Sequence, residues 1–434
     1  MSARDEALAR LDRLDLPDWP AKALRRSIRA KNLSPRDEHL ANRIEIAALK
    51  NLLLINHLIE HYADRPLKKI DPLVRKILGV AVAQILFLDR IPASAAVDEA
   101  VKQARKVGKS SAAGFINAVL RRSLREPRPP LPDRGADPRE YARLELSHPP
   151  ELFDRLIDLL GTDDAMRFAE HDNASPPTIV RMSPGVTIEE LRAAGGDEVT
   201  LKPHEHAGML VMQPTRNELL ARWAREGVAQ AQDPSSATVV ELCDVHPGMQ
   251  VLDRCCGRGT KTLQLREKLG DAGTILAVDP NQRRTQQLRE LLAARGISNV
   301  GVVQAAWLRD VKELIPPVGF DRVLVDAPCS NSGVLARRAA ARYRQDDATL
   351  ESLRKLQLEI LTDTAPHVAP GGLLIYATCS VWREENDQLV QQFLKEHEQY
   401  EPFSTRTTLP ALGGEVPATQ YHDGSFVAVL RRRS

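Results

Sequence analysis

The stretch MQVLDRCCGRGTKT (249–262) reads as a short strand, a glycine-containing turn and the opening of a helix at Lys261. Gly257 and Gly259 allow backbone to approach a ligand closely, because no Cβ stands in the way. Outward from this unit, strand-like runs recur: TILAVD (274–279), NVGVVQ (299–304), FDRVLVD (320–326), GLLIYAT (372–378) and SFVAVLR (425–431). Helical stretches of ten or more residues separate them, the pattern of a doubly wound, mainly parallel sheet. Ligands of such sheets bind at the carboxyl ends of the strands. The second strand ends at Asp279, where a carboxylate can accept hydrogen bonds from a ribose diol. This order of strand, glycine turn, helix, strand and acid fits an adenosyl cofactor. The GxGxxG of dinucleotide enzymes is absent, and Thr260 breaks the GK[ST] of a phosphate-binding loop.

Two later strands each run into a cysteine, DAPCS at 326–330 and YATCS at 376–380, with Cys329 and Cys379 in matching places. Packing alone accounts poorly for that match, and covalent chemistry on a pyrimidine accounts for it well. Carbon-5 of cytosine is a weak nucleophile until a thiolate adds to carbon-6; a methyl group can then be delivered and the carbon-5 proton removed. One cysteine must attack and some base must take the proton. Asp326, on the same corner as Cys329, can hydrogen-bond the cytosine edge and favour charge build-up on the ring. The competing reading of a cysteine is a small buried hydrophobe, and it suits Cys243 and Cys256. A redox pair is a further alternative, but a resolving cysteine needs neither an adjacent carboxylate nor a cofactor turn.

A chain of 434 residues is long enough for two or three domains. Apolar residues recur at helical spacing from about 5 to 126, as in IEIAALKNLLLINHLIEHY (44–62) and PLVRKILGVAVAQILFL (72–88), predicting an all-helical domain. REPRPPLPDRGADPRE (125–140) has the composition of a linker. Short pieces such as PPTIVRMS (176–183), TIEELRAAG (187–195) and RNELLARWAREG (216–227) suggest a small α+β module. The expected division is therefore a helical domain over 1–130, a linker and small module over 131–230, and a Rossmann-like α/β domain over 231–434. Residues 1–130 hold 25 Lys and Arg against 15 Asp and Glu, although the whole chain carries only +2. That excess at the front is what a polyanion would feel, or it is the solvated surface of a helical domain. No apolar run approaches the roughly 18 residues of a membrane span, and the charged N-terminus lacks the apolar core of a signal peptide, so cytoplasm is expected. Five cysteines, odd in number and without a CxxC, argue against a disulfide framework or a zinc site.

Residues 231–434 resemble the catalytic domain of the Sun/RsmB (Fmu) family of ribosomal RNA 5-methylcytosine methyltransferases. The resemblance rests on QDPSSA (232–237), LDRC (252–255), VDAPCSNSGV (325–334), QLEIL (357–361), YATCSVWREEN (376–386) and DGSFVAVL (423–430), in order and spacing. Residues 1–126 resemble the family's NusB-type RNA-binding domain through FLDRIP (87–92), AAVDEAVKQARKVG (95–108) and GFINAVLRR (114–122). The resemblance implies Cys379 as nucleophile and Cys329 as the cysteine that helps release product. It implies S-adenosylmethionine held by Cys255, Cys256, Gly257, Arg258, Gly259, Thr260 and Lys261, with Asp279 at the ribose and Asp326 near cofactor and base. It also implies an RNA partner, small-subunit ribosomal RNA ahead of transfer RNA; no membrane partner and a monomer are expected. The family's loop usually reads CAAPGGK, whereas here it is CCGRGTK. Thr260 brings a Cβ where a positive φ is expected and Arg258 brings charge near a sulfonium, which predicts weakened cofactor affinity. A Gly-Asp pair after the third strand is replaced by Ala305 and Ala306, removing a cofactor hydrogen bond worth about 0.5–1.5 kcal/mol. The histidine and proline that commonly follow the DAPCS loop are missing from RRAAARYR (337–344). These departures keep a second expectation in play, a non-catalytic RNA-binding or ribosome-assembly factor with a degenerate cofactor site.

Overall fold

A computed structural model of the chain describes residues 2–14, Leu16, Trp19 and 33–434. The chain forms two compact units, Met1–Asn173 with Arg338–Asp346, and Ala174–Arg337 with Asp347–Ser434.

The first unit is helical over its described residues, as the apolar periodicity predicts. Its helices include Pro35–Lys50, Leu52–Ala63, Pro72–Phe87, Ala93–Lys106 and Ala113–Arg125. The run 44–62 is divided between two helices at Asn51, whose φ of −123° leaves the helical region while its amide Nδ2 donates to the Ala47 carbonyl at 2.9 Å. The core is largely apolar: Ile55, Ile77, Leu78 and Leu120 are all fully buried. Trp19 lies against Gly79, where a Cβ would fall 2.3 Å from its ring, and its indole N–H donates to Asn56 Oδ1 at 2.9 Å. Beyond the proline-rich stretch, three more helices (Pro138–Leu144, Pro150–Leu160, Thr162–Asn173) belong to this unit by compactness. So does Arg338–Asp346, flanked on both sides by residues of the second unit. There Arg342, fully buried, donates to the carbonyls of Lys50, Leu146 and Asp172, and the Tyr343 hydroxyl donates to the carbonyl of Leu49 at 2.7 Å. Five basic residues of the positively charged front, Lys22 to Lys31, lie outside the described residues.

The second unit holds two sheets. The smaller is antiparallel, ordered β2-β3-β1-β4, from β1 (Thr178–Met182), β2 (Thr200–Pro203), β3 (Met209–Gln213) and β4 (Ala229–Ala231). It buries Val180, Leu210 and Met212 with Trp223 of the helix Asn217–Glu226, so the α+β character expected of this stretch is present.

The larger sheet has seven strands: β5 (Gln250–Arg254), β6 (Thr274–Asp279), β7 (Val300–Gln304), β8 (Phe320–Asp326), β9 (Val368–Thr378), β10 (Tyr400–Thr408) and β11 (Ser425–Arg432). Their order is β10-β11-β9-β8-β5-β6-β7, with β5 to β9 parallel and β11 antiparallel to both its neighbours, β9 and β10. Alternation along the strands feeds two cores. Val323, Val325, Leu374 and Tyr376 enter one, while Leu324, Leu373, Ile375 and Ala377 enter the other. Each large apolar side chain so buried contributes about 1.5–3 kcal/mol, which is why both faces must be covered. From β5 the chain winds outward through β6 and β7, then returns to place β8 on the other side of β5. The switch point between β5 and β8 opens a crevice at their carboxyl ends, where ligands of such sheets bind. No helix of the described residues is long and apolar enough to cross a membrane.

Candidate active site

Three loops meet at that crevice. The first, after β5, runs from Cys255 to Gly259. Cys255 (φ 68°), Gly257 (58°) and Gly259 (83°) take positive φ, and Gly259 caps the helix Thr260–Leu269. Thr260 is the first residue of that helix and is not among the positive-φ residues, contrary to the expectation that its Cβ would strain the turn. The left-handed turn is supplied by its neighbours. Backbone N–H groups of Cys255 and Cys256 donate to the Val278 carbonyl at 2.8 and 3.1 Å, tying the loop to β6. Asp279, at the tip of β6, accepts from Gly257 N–H at 3.0 Å and Asn281 N–H at 2.8 Å through different oxygens. Arg258 is exposed.

The two glycines differ in what they tolerate. A Cβ on Gly259 would stand 2.3 Å from Leu288 Cδ1, while one on Gly257 would meet nothing within 4 Å. Gly259→Ala combines a left-handed residue with overpacking and is expected to destabilise the second unit by about 2–4 kcal/mol. Gly257→Ala should cost only about 1 kcal/mol, the conformational part alone. Denaturant titration of both variants checks this, and equal losses would contradict it.

The second and third loops carry the cysteines. Cys329 and Cys379 Sγ are 3.1 Å apart, at the carboxyl ends of adjacent strands β8 and β9. Asn331, held in the left-handed region (φ 62°), touches both loops: its Nδ2 donates to the Cys329 carbonyl at 2.8 Å and its Oδ1 accepts from the Cys379 thiol at 3.4 Å. Gly333 N–H donates to the Cys379 carbonyl at 2.9 Å. Cys329 is 8 % exposed and Cys379 is more open. The hydrogen bond to Cys379, reinforced by burial, raises the Cys329 thiol well above the ordinary range. Of the other thiols, burial pushes Cys255 up to about 12 and Cys243 and Cys256 higher still, so these behave as apolar side chains.

Asp326 accepts from the Lys261 ammonium at 2.7 Å, joining the cofactor-type loop to the cysteine pair. Burial works to deprotonate Lys261, but the Asp326 carboxylate overcomes it and holds the lysine above its ordinary value. Asp253, on the adjacent strand β5, is 1 % exposed, with Thr262 Oγ1 donating to Oδ2 at 2.5 Å and Oδ1 unpaired among the described residues. Burial outweighs that hydrogen bond and pushes Asp253 up to about 7. A carboxyl whose folded pKa exceeds its unfolded value near 3.9 stabilises the fold fully below pH 4, and that contribution fades as pH rises towards 7. Asp253→Asn should remove the fade, gaining roughly 2–4 kcal/mol over the native chain at pH 8 and little at pH 4. Parallel pH dependence of the two proteins in denaturant titrations would contradict this.

Spacing alone did not point to three of these contributors. Arg254 is 1 % exposed and donates to the Ala306 carbonyl, bracing the corner where the family's Gly-Asp pair is replaced. Asn331 and Glu385 reach the cysteine loops only through tertiary contacts. A cleft of about 530 Å³ lined by Lys312, Pro316, Val318, His367 and Arg432 lies at the amino end of β8, away from these groups.

The family model described as 16S rRNA methyltransferase RsmB/F matches residues 240–431, and that of the NusB family matches residues 1–125. The chain is 31 % identical to ribosomal RNA small subunit methyltransferase B of Pseudomonas syringae pv. tomato, an alignment covering 76 % of this chain and 73 % of that protein. It is 29 % identical to the protein of the same name from Yersinia enterocolitica, over 93 % and 92 % of the two chains. The crystal structure of PH0851 shares the fold with a TM-score of 0.76 at 24 % identity, covering 92 % of this chain and 91 % of that one. The chain belongs to the RsmB/F family of 16S rRNA methyltransferases and is an S-adenosylmethionine-dependent RNA methyltransferase preceded by a NusB-type helical region.

Proposed function

We propose that the protein methylates carbon-5 of a cytosine in small-subunit ribosomal RNA through a covalent adduct with Cys379, acting in the cytoplasm. The observation that carries this reading is the pair of thiols 3.1 Å apart at the switch-point crevice, beside the Lys261–Asp326 ion pair. S-adenosylmethionine supplies the methyl group from its sulfonium. The chain's own residues fit that cofactor: space over Gly257 is open, and each Asp279 oxygen, engaged by one backbone N–H, keeps a lone pair for a ribose hydroxyl. Cys255, Cys256, Arg258, Gly259, Thr260 and Lys261 complete the proposed cradle, with Asp326 reaching both cofactor and base.

The division of labour follows from the thiols. Cys329 keeps its proton and can present its S–H to Cys379, 3.1 Å away, while Cys379 gives up its own proton to water before it attacks. Cys379 then adds to carbon-6, and carbon-5 gains nucleophilic character. Once that sulfur is bonded to carbon, the largest cause of the raised Cys329 pKa is gone; Cys329 gives up its proton to water and, as a thiolate, takes the carbon-5 proton. The sulfur–carbon bond breaks, the ring regains its double bond, and Cys379 departs as thiolate. A base in a duplex must be unstacked to reach these groups, so RNA that is not fully folded is the expected substrate. Exposed Lys102, Arg105, Lys106, Arg121 and Arg125 of the helical unit supply phosphate contacts.

Incubation with methyl-labelled S-adenosylmethionine and deproteinised small-subunit RNA, followed by nucleoside mass spectrometry, tests the reading. Label in 5-methylcytidine is expected; label confined to another nucleoside would contradict it.

A further inference from the structure

We propose that Glu385 is the positioning residue that holds Cys329 and Cys379 at reacting distance, by bridging the two loops that carry them. The proposal rests on the two-thiol reading above. Glu385 is fully buried and forms no ion pair among the described residues. Its carboxylate instead accepts from both cysteine loops. Ser330, next to Cys329, donates its backbone N–H to Oε1 at 2.9 Å and its hydroxyl to Oε2. Ser380, next to Cys379, donates its hydroxyl to the same Oε2. The Ser380 oxygen is itself an acceptor for Trp382 N–H at 3.0 Å, which leaves its proton for the carboxylate.

A third anchor fixes the clamp to the body of the unit. Gln357, fully buried on the helix Asp347–Thr364, donates through Nε2 to Oε1 at 2.8 Å and to the Pro328 carbonyl at 2.9 Å. The Tyr376 hydroxyl donates to the Glu385 carbonyl at 2.8 Å. Every contact to the carboxylate is a donor, and the two serines are the immediate neighbours of the two thiols. Core packing alone gives no reason to bury a carboxylate without a cation, since an apolar side chain of similar volume would cost less. What the carboxylate adds is register: one atom, Oε2, fixes both loops at once.

Two variants and a thiol crosslinker test the clamp. Glu385→Gln keeps an acceptor at Oε1 and offers an NH2 that the serine hydroxyls can turn to accept. Glu385→Ala removes every bridge, and Ser330→Ala/Ser380→Ala removes the hydroxyl contacts while leaving the glutamate, in case the alanine variant folds poorly. In the native protein, dibromobimane should join Cys329 to Cys379. In Glu385→Ala or the double serine variant, joining should drop, and kcat should fall about 100-fold with KM nearly unchanged, the scale expected of a misplacement near 1 Å. S-adenosylmethionine binding by calorimetry should stay within a few-fold of native, and Glu385→Gln should recover most of kcat. Native crosslinking in both disrupted variants would overturn the proposal, whatever the turnover. So would a loss carried by cofactor binding and melting temperature with kcat intact. If the native protein makes no 5-methylcytidine, the function reading falls, while the crosslinking result still decides the clamp.

Discussion

Cys379→Ala is expected to abolish methyl transfer, lowering turnover by at least about four orders of magnitude, because without the adduct carbon-5 remains too weak a nucleophile. Folding should be nearly untouched. Cys379 sits at a strand end with part of its surface open, and its thiol makes one long contact with Asn331 besides that with Cys329. Loss of one sulfur from such a place costs about 1 kcal/mol or less, small against a typical domain stability. Single-turnover methylation beside a melting curve separates the two effects. An alanine variant that methylates at the native rate would assign the attack elsewhere.

Cys329→Ala should behave differently. Addition and methyl transfer require Cys379, so both should proceed, at a reduced rate because the S–H donor is lost. Elimination requires removal of the carbon-5 proton, and the group within reach is gone. The enzyme should therefore accumulate covalently on RNA, at a yield rising from undetectable to a large fraction of the protein. The Cys329→Ala/Cys379→Ala variant should show none. A base held by stacking and hydrogen bonds would be released by denaturation, so a band that survives it reports a covalent bond.

Much of the α/β domain was legible because its strands are buried on both faces and read as continuous apolar runs between helices. TILAVD and FDRVLVD coincide with β6 and β8 to the residue. Strand β10 was not legible. Its residues 402–407 (PFSTRT) are exposed, and it is a strand because β11 pairs with it at the sheet edge. The break at Asn51 was hidden for the opposite reason: apolar periodicity runs through it, and only a side-chain hydrogen bond marks the interruption. The packing of 338–346 with the helical unit depends on Arg342 and Tyr343 finding carbonyls nearly 300 positions away at Lys50 and Leu49. No local pattern records that.

The same limit applies at the site. Cys329, Cys379, Lys261, Asp326 and Asp279 lie at strand ends or helix starts, where the α/β pattern directs attention, and the fold brings Cys329 to Cys379 and Lys261 to Asp326. Glu385 stands in WREEN beside exposed Arg383 and half-buried Glu384, and in sequence it reads as another solvated charge. Its burial depends on where the loops after β8 and β9 close over it.

In the proposed mechanism Cys379 bonds to cytosine while Cys329 governs release. Tryptic mass spectrometry of the Cys329→Ala protein after incubation with RNA and S-adenosylmethionine, followed by ribonuclease digestion, tests it most directly. A nucleotide carrying one added methyl group is expected on the peptide containing Cys379. A nucleotide on any other cysteine, or no modified peptide from a protein that binds S-adenosylmethionine and RNA, would contradict it.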